Sequence, residues 1–124
     1  MTLDDAVMLD PVPNRVYLDV HAMCASVGGS IADALNTLAL DLALRYFDGK
    51  VTYPVADAVI NNMHAYCTRN IASMPNRTTP EPFFSVFLAF DAGEFYPADG
   101  IKNPSPEERF TRPQIAAILS KQRV

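Results

Sequence analysis

Residues 30–49 read SIADALNTLALDLALRYFDG, and this stretch decides the fold because its apolar residues recur at helical spacing. Ser30 is a preferred N-cap residue, Asp33 puts a carboxylate in the first turn, and Gly49 provides a stop. The apolar stripe consists of Ile31, Leu35, Leu38, Leu42 and Tyr46, flanked by Leu40, Leu44 and Phe47. Polar residues occupy only a narrow strip. The pattern therefore predicts a helix at the centre of a helical bundle.

A second helix is predicted to begin at Pro54, a residue favoured in the first helical turn, and to run to about Ser73. Its apolar row is Val55, Val59, Met63, Cys67, Ile71 and Met74, and its polar row is Asp57, Asn61, His64 and Thr68. Because the two rows lie on different sides of the helix, we expect Cys67 to be buried and His64 to point elsewhere.

Two segments allow both helix and strand. Residues 79–93 open with Thr-Pro-Glu, an N-terminal helix signature, and contain Gly93 as terminator, so helix is favoured. The aromatic run at 83–90 would also suit a buried strand. Residues 15–27 carry a helical apolar stripe, with a short strand at 15–20 as the alternative.

The C-terminal region contains two further helix starts, Ser105-Pro106-Glu107-Glu108 and Thr111-Arg112-Pro113. They predict a short turn followed by a terminal helix. Ten prolines separate the predicted segments. We therefore predict an all-α fold over 1–124, a compact single-domain bundle of about four to five helices with proline-marked loops. Residues 1–13 are expected to form a flexible or short helical N-terminal arm.

Composition and charge argue against several function classes. The chain has 124 residues, of which 49% are hydrophobic, so it can form an ordinary core. Fourteen acidic against ten basic residues leave a net charge of −4, which disfavours binding to nucleic acid. The first residues lack a signal-peptide pattern, and the apolar run Phe83 to Phe90 is too short to cross a membrane. The expected location is cytoplasmic, with both cysteines reduced.

Recognisable catalytic motifs are missing from the sequence. It contains no phosphate-binding loop, dinucleotide fingerprint, nucleophile elbow, paired-histidine metalloprotease motif or EF-hand loop. We therefore expect no cofactor and no catalysis.

Both histidines and both cysteines belong to a repeated H-A-x-C motif, HAMC at 21–24 and HAYC at 64–67. Each pair is spaced i, i+3 on a predicted helix, so His21, Cys24, His64 and Cys67 could form a Cys2His2 zinc site. A Cys/His enzyme that uses the same residues, with Asp57 as an added member, is a further alternative. We favour the simpler interpretation, two amphipathic helices that repeat one pattern.

The leading functional hypothesis is protein–protein binding. An acidic helical domain could act as a regulator or immunity-type inhibitor of a basic partner, whose approach its charge would accelerate. The expected partner-binding residues are acids and aromatics in the segment 91–109. They are Asp91, Glu94, Phe95, Tyr96, Asp99, Glu107 and Glu108. The alternatives are that the aromatics only fix this loop to the core, or that the protein is a structural homo-oligomer.

Overall fold

Six α-helices form within the residues that the computed structural model describes, which are 1–9, 17–95, 99–100 and 103–122. No strand occurs in these ranges, and the helices make one compact domain, so the predicted all-α bundle is confirmed. The helices are α1 (Leu3–Met8), α2 (Val20–Val27), α3 (Ile31–Phe47), α4 (Tyr53–Arg69), α5 (Phe83–Asp91) and α6 (Arg112–Gln122). Two 3₁₀ turns, Ile71–Ser73 and Pro75–Arg77, join α4 to α5, and a π-helical turn, Glu107–Thr111, leads into α6.

Helix α3 is the central helix, as its sequence predicts. The Ser30 hydroxyl accepts a hydrogen bond from the Asp33 N–H (3.1 Å), and this cap starts the helix. Gly49 follows the last turn with a positive φ of 75°. The helix contacts α2, α4, α5 and α6. A mostly apolar helix can bury several sides at once, which explains this position.

Helix α4 begins at Tyr53, with Pro54 in its first turn, and packs against α3. It ends at Arg69, earlier than the Ser73 expected from the pattern. At this end the backbone N–H of Asn70 is shared between the carbonyls of Tyr66 and Cys67, and the Asn70 side chain also donates to the carbonyl of Tyr66 (2.9 Å). The last turn thus tightens and leads into the 3₁₀ turn that follows. Cys67 faces the core and is 1% exposed.

Helix α5 corrects two expectations about residues 79–93. The helix begins at Phe83, and Pro82 occupies the N-cap, so the expected start at Thr79 is wrong. Glu81 caps the first turn instead, accepting hydrogen bonds from the N–H (3.2 Å) and hydroxyl (2.6 Å) of Ser85. The strand alternative at 83–90 is also wrong. The buried residues follow helical spacing, namely Phe83, Val86, Ala89 and Phe90.

Helix α2 is shorter than the expected helix at 15–27. It begins at Val20, where the Asp19 carboxylate accepts a hydrogen bond from the Ala22 N–H (3.0 Å). Residues 17–19 have no regular secondary structure, so the strand alternative fails there, while residues 15 and 16 lie outside the described residues. Asp19 is a strong N-cap, and it interrupts the helical pattern that continues upstream.

The two ends of the described chain pack on this framework. Helix α1 has a capping box formed by Thr2 and Asp5 and contacts α4. Residues 10–13 of the expected arm lie outside the described residues. At the other end, the expected turn and terminal helix are present, with Ile115 and Leu119 of α6 buried.

None of the described helices is by itself both long and apolar enough to cross a membrane. The helices α2 and α3 reach that length and hydropathy only when they are joined, and they meet at a bend of 93°.

Candidate functional site

The structure separates the residues that the sequence grouped as one partner-binding loop. Glu107 accepts a hydrogen bond from the Tyr46 hydroxyl (2.6 Å), and Asp99 forms an ion pair with Arg109 (2.7 Å). Both acids thus have internal partners. Glu108 is exposed on the turn before α6.

Two more of these residues lie near α4. Asp91 and Glu94, at the end of α5 and just after it, approach Asp57 of α4 closely enough to influence its ionisation. Phe95 follows them and is 68% exposed. Tyr96 lies outside the described residues.

These carboxylates form one end of a continuous surface, which we call the α4–α5 seam. It consists of Asp57, Asn61 and His64 from α4, Phe84, Phe87, Leu88 and Asp91 from α5, and Glu94 beyond α5. Each helix contributes residues spaced three or four apart, so helical periodicity lines up each set along the seam. The seam is therefore acidic at one end and aromatic at the other.

At the acidic end, burial and neighbouring acids raise the pKa of two carboxyl groups, Asp57 and Glu94. Burial, followed by the charges of Glu94 and Asp91, raises the pKa of Asp57 to about 7. Burial and the hydrogen-bonded contact with Asp91 likewise raise the pKa of Glu94. In the described part of the chain, the ion pairs are Arg45 with Asp4 and Asp41, and Arg109 with Asp99. None of them involves the acidic end of the seam.

A cleft of about 550 Å³ opens beside Asp57. Its lining includes Tyr53, Pro54, Asp57, Asn61, Gly93 and Glu94. Asp57 Oδ1 is buried and has no hydrogen-bond partner within the described residues. The Tyr53 hydroxyl donates to the carbonyl of Phe90 (2.7 Å), which fixes the ring at the cleft wall.

Gly93 allows a close approach at the inner side of this cleft. A Cβ at this position would overlap Thr111 Oγ1 and lie 2.9 Å from the Tyr53 hydroxyl. Thr111 is fully buried, and its hydroxyl also has no partner in the described ranges. Unsatisfied buried oxygens of this kind are rare in folded proteins.

The aromatic end of the seam is organised by His64. Its imidazole stacks face to face on Phe87, with ring centroids 3.9 Å apart, and Phe84 lies alongside at 6.4 Å. Burial lowers the pKa of His64, against the opposing charge of Asp91. Leu88 extends the apolar surface and is 45% exposed.

The two H-A-x-C motifs meet through their cysteines and through His21 and Tyr66, but not through their two histidines. Cys24 and Cys67 are both buried, and burial, followed by the proximity of Cys67, raises the pKa of Cys24 to about 11. The histidines diverge, since His21 Nδ1 lies 3.0 Å from the Tyr66 hydroxyl whereas His64 stacks on α5. Within the described residues, no three His, Cys, Asp or Glu side chains are arranged to hold a metal ion. A thiol this hard to ionise is also a poor nucleophile.

Sequence reasoning identified the acidic end only in part. It named Asp91 and Glu94 but placed them on a loop, and it noted Asp57 only on a polar row and beside the Cys/His alternative. The shared spacing of Asp57, Asn61 and His64 was the available signal. Nothing in the sequence indicated that Thr111 would be buried beside Gly93.

Comparison of the chain with family models, curated proteins and solved structures found no match.

Proposed function

We propose that this protein is a non-catalytic binding module of the cytoplasm that holds a basic protein partner on the α4–α5 seam. Such a protein would act as a regulator or an immunity-type inhibitor of that partner. The observation that carries this proposal is the group Asp57, Asp91 and Glu94, which has no cationic partner in the described residues and adjoins exposed aromatic surface.

Charge supports a basic partner in particular. Three neighbouring carboxyl groups repel one another when ionised, so a cation placed among them relieves that repulsion. The same charge accelerates the encounter with a positively charged surface. A second copy of this chain would bring its own acids to the seam, so self-association at this surface is disfavoured.

The aromatic end of the seam would contribute most of the binding energy. Rings that are already stacked, such as His64 on Phe87, lose little conformational freedom when a partner covers them. Aromatic and long apolar side chains commonly dominate the energetics of interfaces. Leu88 and Phe95 add exposed apolar area beside the acids.

General acid–base catalysis is a second candidate function, and one observation favours it. A carboxyl group with a pKa near 7 in a cleft is suited to donate and accept protons at neutral pH, and Asp57 has both features. Loss of a measurable activity in Asp57→Asn, with the partner still bound, would favour this candidate over the binding module.

Site-specific photo-crosslinking in the producing cell tests the binding module. A benzophenone amino acid replaces Leu88 in the seam, and a matched variant carries it at Leu44, which is 40% exposed in the groove between α3 and α6. We expect an adduct with a basic protein from position 88 and none from position 44. An adduct of the chain with itself from position 44 alone would support the homo-oligomer, and no adduct from position 88 would refute the proposal.

A further inference from the structure

We infer that the partner docks a basic amphipathic helix along the α4–α5 seam, with its apolar side on α5 and its lysine or arginine residues at the acidic end. This inference rests on the proposed function and names the element of the partner that the seam receives.

Helix α5 is apolar even on the side that the rest of the described chain leaves exposed. Its sequence, FFSVFLAFD, contains one charged residue, Asp91, at its end. The helix packs on α3, α4 and α6, which accounts for the burial of its inner residues. On the outer side Phe84 and Phe87 are partly exposed and Leu88 is 45% exposed. A helix that is apolar on every side is normally buried, so this side of α5 is suited to contact with another protein.

The two helices of the seam run in opposite directions. Tyr53, at the start of α4, donates to the carbonyl of Phe90 near the end of α5, whereas His64, further along α4, stacks on Phe87 and lies beside Phe84. Side chains on helices form ridges, and the ridges of another helix pack into the grooves between them. From Phe84 to the end of α5, the seam offers such a surface for about 10 Å, or two helical turns.

A helix fits this surface better than an extended segment does. The backbone N–H and C=O groups inside α4 and α5 are used within each helix, so the seam offers side chains and little free main chain. The described ranges also contain no strand edge to which an extended segment could add. A helix satisfies its own backbone groups, so it can cover aromatic side chains without leaving those groups unpaired.

The charge beside the apolar surface favours a basic helix. Asp91 and Glu94 follow the aromatic residues of α5, and neither takes part in an ion pair within the described residues. Glu94 already shares hydrogen bonds with Asp57 and Asp91, so the partner's cation lies against the exposed outer side of Glu94 and stays outside the cleft. Grooves that combine apolar and acidic surface suit helices with apolar residues on one side and basic residues beside them.

Photo-crosslinking from three positions along α5 tests the inference on the full-length protein in the producing cell. The benzophenone amino acid replaces Phe84, Leu88 or Ala92 in separate variants, and mass spectrometry identifies the partner residue that each variant labels. Positions 84 and 92 are about 12 Å apart along the helix axis. A partner helix rises by about 1.5 Å per residue, so we expect labels about eight residues apart, with the label from position 88 between them.

An extended segment gives a different spacing. It rises by about 3.3 Å per residue, so the labels from positions 84 and 92 would then lie about four residues apart. That spacing would overturn the inference, and so would labels that fall on separate segments of the partner or the absence of a label from position 92.

The labelled segment must also have the expected composition. We expect apolar residues three or four apart around the labels from positions 84 and 88, and a lysine or arginine within one turn of the label from position 92. A segment without a basic residue in that turn would overturn the inference.

A synthetic peptide of the labelled segment tests the helix directly, with fluorescence anisotropy measuring its affinity for the purified protein. We expect the peptide to bind, and a proline in its middle should abolish binding because proline breaks a helix. A peptide that does not bind, or that binds equally well with the proline, would overturn the inference.

Variants of the protein separate the seam from other exposed surface. Leu88→Ala should weaken peptide binding by about tenfold or more, whereas Leu44→Ala, at a similarly exposed leucine between α3 and α6, should leave it unchanged. Glu94→Gln should weaken binding and reduce its dependence on salt, whereas Glu108→Gln, at an exposed acid before α6, should do neither. Equal losses within either pair of variants would overturn the inference.

The outcomes distinguish this inference from the proposed function. An adduct with a basic protein from position 88, combined with the spacing of an extended segment, would retain the binding module and overturn the helix. No adduct from position 88 would refute both.

Discussion

Carboxylates occur in two contrasting settings in this molecule. Around Arg45, Asp4 and Asp41 both form ion pairs with one guanidinium group. Around Asp57, burial raises the pKa of the carboxyl group, and the neighbouring acids Glu94 and Asp91 raise it further. The chain therefore has cations and uses them elsewhere, so the uncompensated charge at the seam is a local property of packing. Four substitutions test whether the two settings differ as described.

The largest effect is expected where the acidic site is packed most tightly. Gly93→Ala introduces a Cβ that overlaps Thr111 Oγ1 and crowds the Tyr53 hydroxyl, so we expect a loss of about 1 to 3 kcal/mol in the free energy of unfolding, measured by urea denaturation. Adding Thr111→Ala should recover part of that loss. A change below about 0.5 kcal/mol in Gly93→Ala would contradict the close approach described here.

Glu107 represents a carboxylate whose hydrogen bonding is satisfied, and Tyr46→Phe removes its donor. The 2.6 Å hydrogen bond from the buried tyrosine would be lost, so we expect destabilisation by about 1 to 2 kcal/mol in thermal or urea unfolding. The double variant with Glu107→Gln should lose less than the sum of the two single changes. Full additivity would show that the pair is not coupled.

Asp57→Asn should raise the free energy of unfolding, whereas the two substitutions above lower it. The size of this gain should depend on pH. The pKa of Asp57 is raised from 3.8 to about 7, so the folded state binds the proton more tightly than the unfolded state. The resulting stability is complete below about pH 4 and is lost as the pH rises through 7. We therefore expect the advantage of the variant over the wild type to grow from about pH 4 to pH 7 and, because Asp57 is only partly buried, to be about 1 to 2 kcal/mol larger at pH 8 than at pH 4.

This comparison also controls for His64. Burial lowers the pKa of that histidine, so its protonation opposes folding as the pH falls below 6.5. Because His64 is present in both proteins, its contribution cancels in the difference. A difference that stays constant from pH 5 to pH 8 would argue against a raised pKa at Asp57.

The smallest change in stability is expected for the two acids that are paired with Arg45. Arg45→Met removes the ion pairs with Asp4 and Asp41, which lie at the partly exposed surface, so we expect destabilisation of about 0.2 to 1 kcal/mol that weakens in high salt. Arg69→Met is the matched control, since Arg69 is exposed and forms no ion pair in the described ranges. Equal losses in both variants would indicate that net charge, not pairing, determines the effect.

Local sequence signals predicted helices well and helix ends less well. The apolar spacing of α3, its Ser30 cap and the burial of Cys67 could be read directly, because they depend on residues within one or two turns. The start of α5 was misplaced because two prolines and Glu81 offered competing caps, and the contact of Glu81 with Ser85 decided between them.

The candidate site depends on tertiary structure more strongly than the individual helices do. The sequence presented the two H-A-x-C motifs as equivalent, yet packing directs His21 to Tyr66 and His64 to Phe87. The same H-A-x-C pattern on two helices acquires different surroundings because each helix has different neighbours. The sequence alone could not rank their roles.

The sequence by itself determined the all-α class, the central position of α3 and the excess of acid over base. The tertiary structure alone decided which acids would face a cation and which would face one another. Helical periodicity is set by neighbours three or four residues away. Ionisation depends instead on burial and on charges a few ångströms away in space, so the properties of Asp57 arise only when α4 and the end of α5 come together.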